Sequence, residues 1–193
     1  MPLKPHPESD RLARLFAEPD LPLRPWRGDG YRFAAPKFAS PRAFVDGVGS
    51  QRFGSRWIPA GVARAVHACA SPEGALAESL AQHRGANIPD WQAMPLVVCG
   101  LRVEVAAAFD LSDGAVRRVS RLWRRALFGG DWREDNRAGL EALPQSVGRA
   151  AFACGRVAAL VVPSAVDPAY VNLVVFPDRL RPGDRLEARQ DGV

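Results

Sequence analysis

The stretch "RFGSRWIPAG", Arg52 to Gly61, sets two arginines among glycines, a tryptophan and a proline. Arginine offers a fork of donors that grips a phosphate or carboxylate through two bonds. In a glycine-rich loop the backbone can also come close to such a ligand. Arg56 is therefore a candidate anion contact, although a plain surface arginine is the commoner use of such a position. Arg52 has no such assignment and reads as surface charge. Glu78 lies in "SPEGALAESLAQHRG". Helical spacing puts Leu76 and Leu80 together and Glu78 nearly opposite, so periodicity alone favours a solvated carboxylate. Ala75, Ala77 and Ala81 are small, however, and would let another element pack closely around it. His67 lies just upstream, on the strand that feeds this helix. Ser164, in "VVPSAVDP", follows an apolar strand; a serine there can bond a ligand phosphate or hydroxyl, and more often caps a turn. No GxSxG elbow surrounds it. No GK[ST] follows the glycines, and no strand–GxGxxG–helix unit occurs.

These residues need elements to hold them. "SDRLARLFAE" fits a short amphipathic helix with Leu12, Leu15 and Phe16 on one side. "GYRFAAPKF" reads as a short strand, and residues 40–61, with Gly47, Gly49, Gly54 and Gly61, as a long loop. "ARAVHACA" is an alternating strand. The helix after it starts at Ser71–Pro72 and stops at Gly85. "PLVVCGLRVEVAAAFDL" is one strand or two. "SDGAVRRVSRLWRRALFGG" is expected as one helix capped by Ser112 and ended by Gly129. Arg117, Arg121, Arg124 and Arg125 would lie on one side, and Val116, Val119, Trp123, Ala126 and Leu127 on a core side. "PQSVGRAAFACG" is a further helix, "RVAALVVPS" and "YVNLVVFP" are strands, and the polar tail after Leu180 ends the fold. Strands and short helices mix without strict βαβ alternation, which predicts an α+β fold.

The chain has 193 residues, 47% hydrophobic and 24% charged, the balance of a globular protein with a proper core. Its formal net charge is +5, which attracts anions without choosing among nucleic acid, nucleotides and acidic proteins. The expected core position of Trp123 separates it from the arginines, so direct nucleic-acid binding is not expected. Cys69, Cys99 and Cys154 sit among small or apolar neighbours and suggest neither disulfide nor zinc. His6, His67 and His83 show no metal spacing. No apolar run reaches membrane-spanning length, and the N-terminus has no signal-like apolar core, so a cytoplasmic location is expected.

Four segments in order resemble the RES domain family: "YRF" at Tyr31–Phe33, "FGSRWIPAG", "AVHACASPEGALAE" and "GRVAALVVPSAVDPAYVNLVVFP". The resemblance covers roughly residues 31–180. It implies an ADP-ribosyltransferase-like fold of mixed sheets flanked by short helices. Residues 1–30 are then an N-terminal extension with a short helix, and residues 31–193 a single catalytic domain. It further implies a toxin that degrades NAD by breaking the nicotinamide–ribose bond. NAD is the substrate, inorganic phosphate or water the acceptor, and no permanently bound cofactor or metal is needed. An antitoxin with a helix-turn-helix region is the implied partner, with oligomers formed through that complex. Cleavage builds positive charge on the ribose, and Glu78 would stabilise it. Arg32 and Arg56 would meet the pyrophosphate, with Arg56 also catalytic, and Ser164 would bond a phosphate or ribose oxygen. His67 stands where the family usually has tyrosine, and Ile58 where its loop usually has asparagine. Those departures support another expectation, a RES-like binding module that acts through its partner; a further alternative keeps the fold and transfers ADP-ribose to a protein or nucleic acid.

Overall fold

The computed structural model describes residues 2–189. Two long antiparallel strands form its spine, β1 (Leu23–Ala34) and β3 (Val97–Asp110), paired from Leu23↔Phe109 to Ala34↔Val97. The other strands are β2 (Val66–Cys69), β4 (Ala159–Pro163), β5 (Val171–Val175) and β6 (Arg185–Ala188). Their order is β1-β2-β5-β4-β3, and the β1–β3 pairing closes the series into a ring. β3 and β4 run parallel, and the other pairs are antiparallel. β6 lies on the second edge of β3 at residues 101–104, just before β4 takes that edge at 108–110. β4 reads "ALVVP" and is buried along its whole length, as a continuous apolar strand must be when both its faces are covered.

The helices are α1 (Ser9–Ala17), α2 (Pro41–Val45), α3 (Val48–Phe53), α4 (Pro72–Gly85) and α5 (Asp90–Ala93), followed by α6 (Gly114–Ser120), α7 (Arg124–Phe128), α8 (Trp132–Arg137) and α9 (Leu143–Ala153). Two apolar clusters pack on the sheet. One joins Leu12, Phe16, Trp57, Ile58, Phe109, Val147, Leu160 and Phe176. The other joins Phe44, Val66, Leu101, Val103, Val161 and Leu173. The mixed sheet with short flanking helices is the α+β architecture the sequence predicts.

Several expectations change. Residues 40–61 are not one loop: Ser40 accepts from the amide of Ala43 and starts α2 with Pro41 in its first turn, and α3 follows. The expected helix over 112–128 is two. Asp113, not Ser112, caps its start by accepting from Ala115, while Ser112 bonds Asp110. Arg121 then adopts a left-handed conformation with φ 54° and ends α6. Val119 already faces outward within α6 (74% exposed), and after the break Trp123 (57%) faces outward while Leu122 fills the core. Trp123 is thus beside the arginines, contrary to the expected core placement. The polar tail contains β6. A boundary at residue 30 falls inside β1, and Leu12 and Phe16 of α1 are fully buried in the shared core, so no seam separates the first thirty residues from the rest. Among the described residues no helix is long and apolar enough to cross a membrane.

Candidate active site

α4 carries Glu78, and its approach to the sheet explains how a carboxylate opposite two leucines becomes half-buried. Ser71 accepts from the amide of Gly74 and caps the helix, with Pro72 in the first turn. A Cβ at residue 74 would stand 2.4 Å from Cys69 Sγ and 2.8 Å from the Tyr170 ring. Only glycine lets the helix lie this close to β2 and the start of β5. Glu78 is one turn further along the same face. Leu76 and Leu80 are only half-buried, whereas Gly74 and Ala75 are buried and mark the packed side.

Two donors from different strands meet that carboxylate. Ser164, just after β4, donates its hydroxyl to Glu78 Oε1 at 2.6 Å. Asn172 of β5 donates Nδ2 to the same oxygen, also at 2.6 Å. Ser164 is 0% exposed, and its Oγ also accepts from the amides of Val166 and Asp167 at 3.0 and 3.1 Å. That hydroxyl has no capacity left for a ligand. Among the described residues Glu78 Oε2 receives no hydrogen bond. Ser120 Oγ and Asn172 Oδ1 are the buried side-chain atoms left without a partner there. Glu78 as a whole is half-buried.

Arg56 approaches from the loop between α3 and β2. Burial pushes its guanidinium below the ordinary arginine value, while the charges of Glu78 and Asp131 push it back up and Arg133 opposes them. Its hydrogen bond is a long one, Nη1 to the carbonyl of Gly130 at 3.4 Å, and no described carboxylate lies within ion-pair distance. It is a partly desolvated cation with no carboxylate in ion-pair contact among the described residues. The loop that holds it is firmly seated. Ser55 Oγ accepts from the amides of Trp57 and Ile58. The buried Gln145 of α9 donates Nε2 to the carbonyl of Ser55 at 2.9 Å, and its amide pairs reciprocally with Asn136 of α8. A Cβ at Gly148 would stand 1.7 Å from the carbonyl oxygen of Trp57, so α9 and this loop touch backbone to backbone. Trp57 packs edge-on against Phe128, at 5.9 Å between ring centres. Ile58 is fully buried in the same cluster.

Arg32 and His67 form a second group. Arg32 Nη1 donates to the carbonyl of Phe44 at the end of α2. Burial pushes its guanidinium down, and Asp46 and Cys99 offset part of that shift. His67 faces Ser50 of α3 at 3.4 Å. Burial, then the charge of Arg32, pulls its pKa from 6.5 down to about 4, so the imidazole is neutral at pH 7. Among the described residues no hydrogen bond or ion pair joins Arg32 or His67 to Glu78. Two surface grooves lie away from both groups. One, of about 740 Å³ along β1, β3 and β6, is lined by paired charges such as Arg27–Glu104 and Arg102–Glu104. The other lies between α1 and α9. Asn172 lies in the segment that resembles the family's late Pro-Ser…Asn motif, but sequence reasoning gave it no role: a lone polar residue in "VNLVV" carries no local sign of its partner.

The family model of the RES domain matches residues 24–192. Among curated proteins, none matches the chain. Among solved structures, the chain is similar to one from the crystal structure of the M. tuberculosis MbcT–MbcA toxin–antitoxin complex. The TM-score is 0.70 at 24% identity, with 93% of this chain and 89% of that chain covered.

Proposed function

The chain belongs to the RES domain family, and we propose that it is a toxin enzyme that degrades NAD by cleaving its nicotinamide–ribose bond. The observation that carries this reading is the half-buried carboxylate of Glu78, held through one oxygen while the other accepts no hydrogen bond among the described residues. The C–N bond to nicotinamide breaks and its electron pair leaves with the nicotinamide nitrogen, so the ribose carbon gains positive charge. Oε2 of Glu78 stabilises that charge. Phosphate, with water as the alternative acceptor, then forms the new C–O bond. Nicotinamide departs neutral, so the step requires neither a metal nor a strong general acid.

Arg56 takes the pyrophosphate or the incoming phosphate: it is a desolvated cation, and an anion would supply the partner it lacks. Arg32 is a second phosphate contact through the nitrogens not committed to Phe44. His67, neutral at working pH, accepts or donates one hydrogen bond to NAD in place of the family's tyrosine. Ile58 has its side chain in the core, so its difference from the family's asparagine removes no ligand contact from the observed loop. That weakens the reading of a non-catalytic binding module, which then rests on His67. An antitoxin partner with a helix-turn-helix region would cover Arg56 and Glu78. The similar chain is drawn from a toxin–antitoxin complex, which supports an antitoxin partner in general. A complex that left both residues open would contradict it.

The deciding experiment follows nicotinamide release from NAD by NMR, with and without phosphate, for the natural chain and Glu78→Ala. Release that needs phosphate and disappears in the variant is expected. Release without phosphate makes the acceptor water, and no release from folded protein ends the enzymatic reading.

A further inference from the structure

Asn172 holds an unbalanced position. Its Nδ2 donates to Glu78 Oε1, but its Oδ1 is buried and has no partner. A buried amide oxygen left unpaired costs stability. Its strand neighbours are valine and leucine, and such a residue would fill this place on β5 without that cost. The side chain is therefore explained by its amide N–H and not by packing. The geometry says what that N–H does. One hydrogen bond from Ser164 fixes an atom of the carboxylate but leaves rotation about that contact. A second donor on the same oxygen, from a different strand, removes the freedom. Both donors lie on Oε1, so Oε2 is the oxygen left without a donor among the described residues.

We propose that Asn172 is a positioning residue for the reaction: it selects which oxygen of Glu78 faces the ribose and does not itself touch NAD. The proposal rests on the reading that Glu78 acts on NAD. The charged and titratable groups that act on or near Glu78 are Arg56 from the loop and Cys69 of β2, whose thiol burial pushes up. Neither changes charge between pH 5 and 8, roughly the range of the test.

Two variants test it. Asn172→Ala is expected to lower kcat about ten- to a hundredfold, the scale of a misplaced reacting group, with the KM for NAD within about threefold of the natural value. A raised KM with unchanged kcat would make Asn172 a ligand contact and overturn the proposal, as would unchanged kinetics. Asn172→Asp keeps the shape but replaces the donor by a second carboxylate facing Glu78. Its melting temperature is expected to fall on the order of 5 °C below the natural chain at about pH 8. The gap should close towards about pH 5, as the added acid takes a proton and donates again. A gap that ignores pH, or no gap, overturns the clamp whether or not the chain degrades NAD. A natural chain that releases no nicotinamide counts against the proposed function, and the melting series still decides the clamp.

Discussion

Gly148→Ala tests the contact on which the placement of Arg56 depends. The added Cβ would lie 1.7 Å from the carbonyl oxygen of Trp57 and 2.8 Å from its carbonyl carbon, both backbone atoms that cannot rotate away. Inserting a methyl into a packed core costs about 1–3 kcal/mol, and a clash with backbone on both sides belongs at the upper end, about 3 kcal/mol. Alanine gains about 1 kcal/mol over glycine inside a helix. The net loss is about 2 kcal/mol. At about 2–4 °C per kcal/mol for a chain of this size, the melting temperature should fall about 4–8 °C. The 54–61 loop must also shift, so nicotinamide release should fall further than stability alone explains. Gly49→Ala is the control: it lies in α3, and its Cβ would meet nothing within 4 Å. Scanning calorimetry of both variants decides the matter. A Gly148→Ala protein that melts at or above the natural chain would refute the close packing of α9 against the loop.

His67 makes stability depend on acid. Its pKa is lowered from 6.5 to about 4, so the unfolded chain binds a proton more readily and stability is lost as pH falls from about 6.5 towards 4. The loss is bounded above by about 3 kcal/mol. Denaturant titrations at several pH values should show His67→Phe flatter than the natural chain over that window, and parallel curves would disprove the assignment. Arg149 grips the buried Glu141 through two nitrogens, both at 2.7 Å, and also donates to Ser9 of α1. Arg149→Met strands that carboxylate and should cost about 2–4 kcal/mol, discounted because the guanidinium is partly exposed. Urea unfolding would measure it, and a loss under about 0.5 kcal/mol would show the pair to be a surface ornament.

What the sequence made legible was local chemistry with a near neighbour to confirm it. α4 was readable because Ser71, Pro72 and Gly85 mark both its ends. The small residues around Glu78 also signalled a close approach, against the leucine stripe. The 40–61 segment misled because four glycines outweighed the Ser40–Pro41 start of α2. The break at Arg121 had no sign at all, since arginine is no marker of left-handed backbone and the apolar spacing continues across it. Ser164 and Asn172 lie 86 and 94 positions from Glu78. Their convergence on one oxygen is set by the β4–β5 pairing and cannot be read from either segment alone.

The closed ring of strands also limits how other proteins can attach. An open sheet edge presents unpaired N–H and C=O groups on which another chain can lay a strand. Here β1 through β5 each have neighbours on both sides, with β2 reaching β1 at Tyr31↔Cys69 alone. β6, which pairs with β3, carries exposed Arg185 and Glu187 at alternate positions, the kind of charged edge that discourages added strands. Where both edges of a strand are paired, a second copy cannot extend the sheet there, and a partner meeting those stretches is recognised by side chains rather than by strand addition.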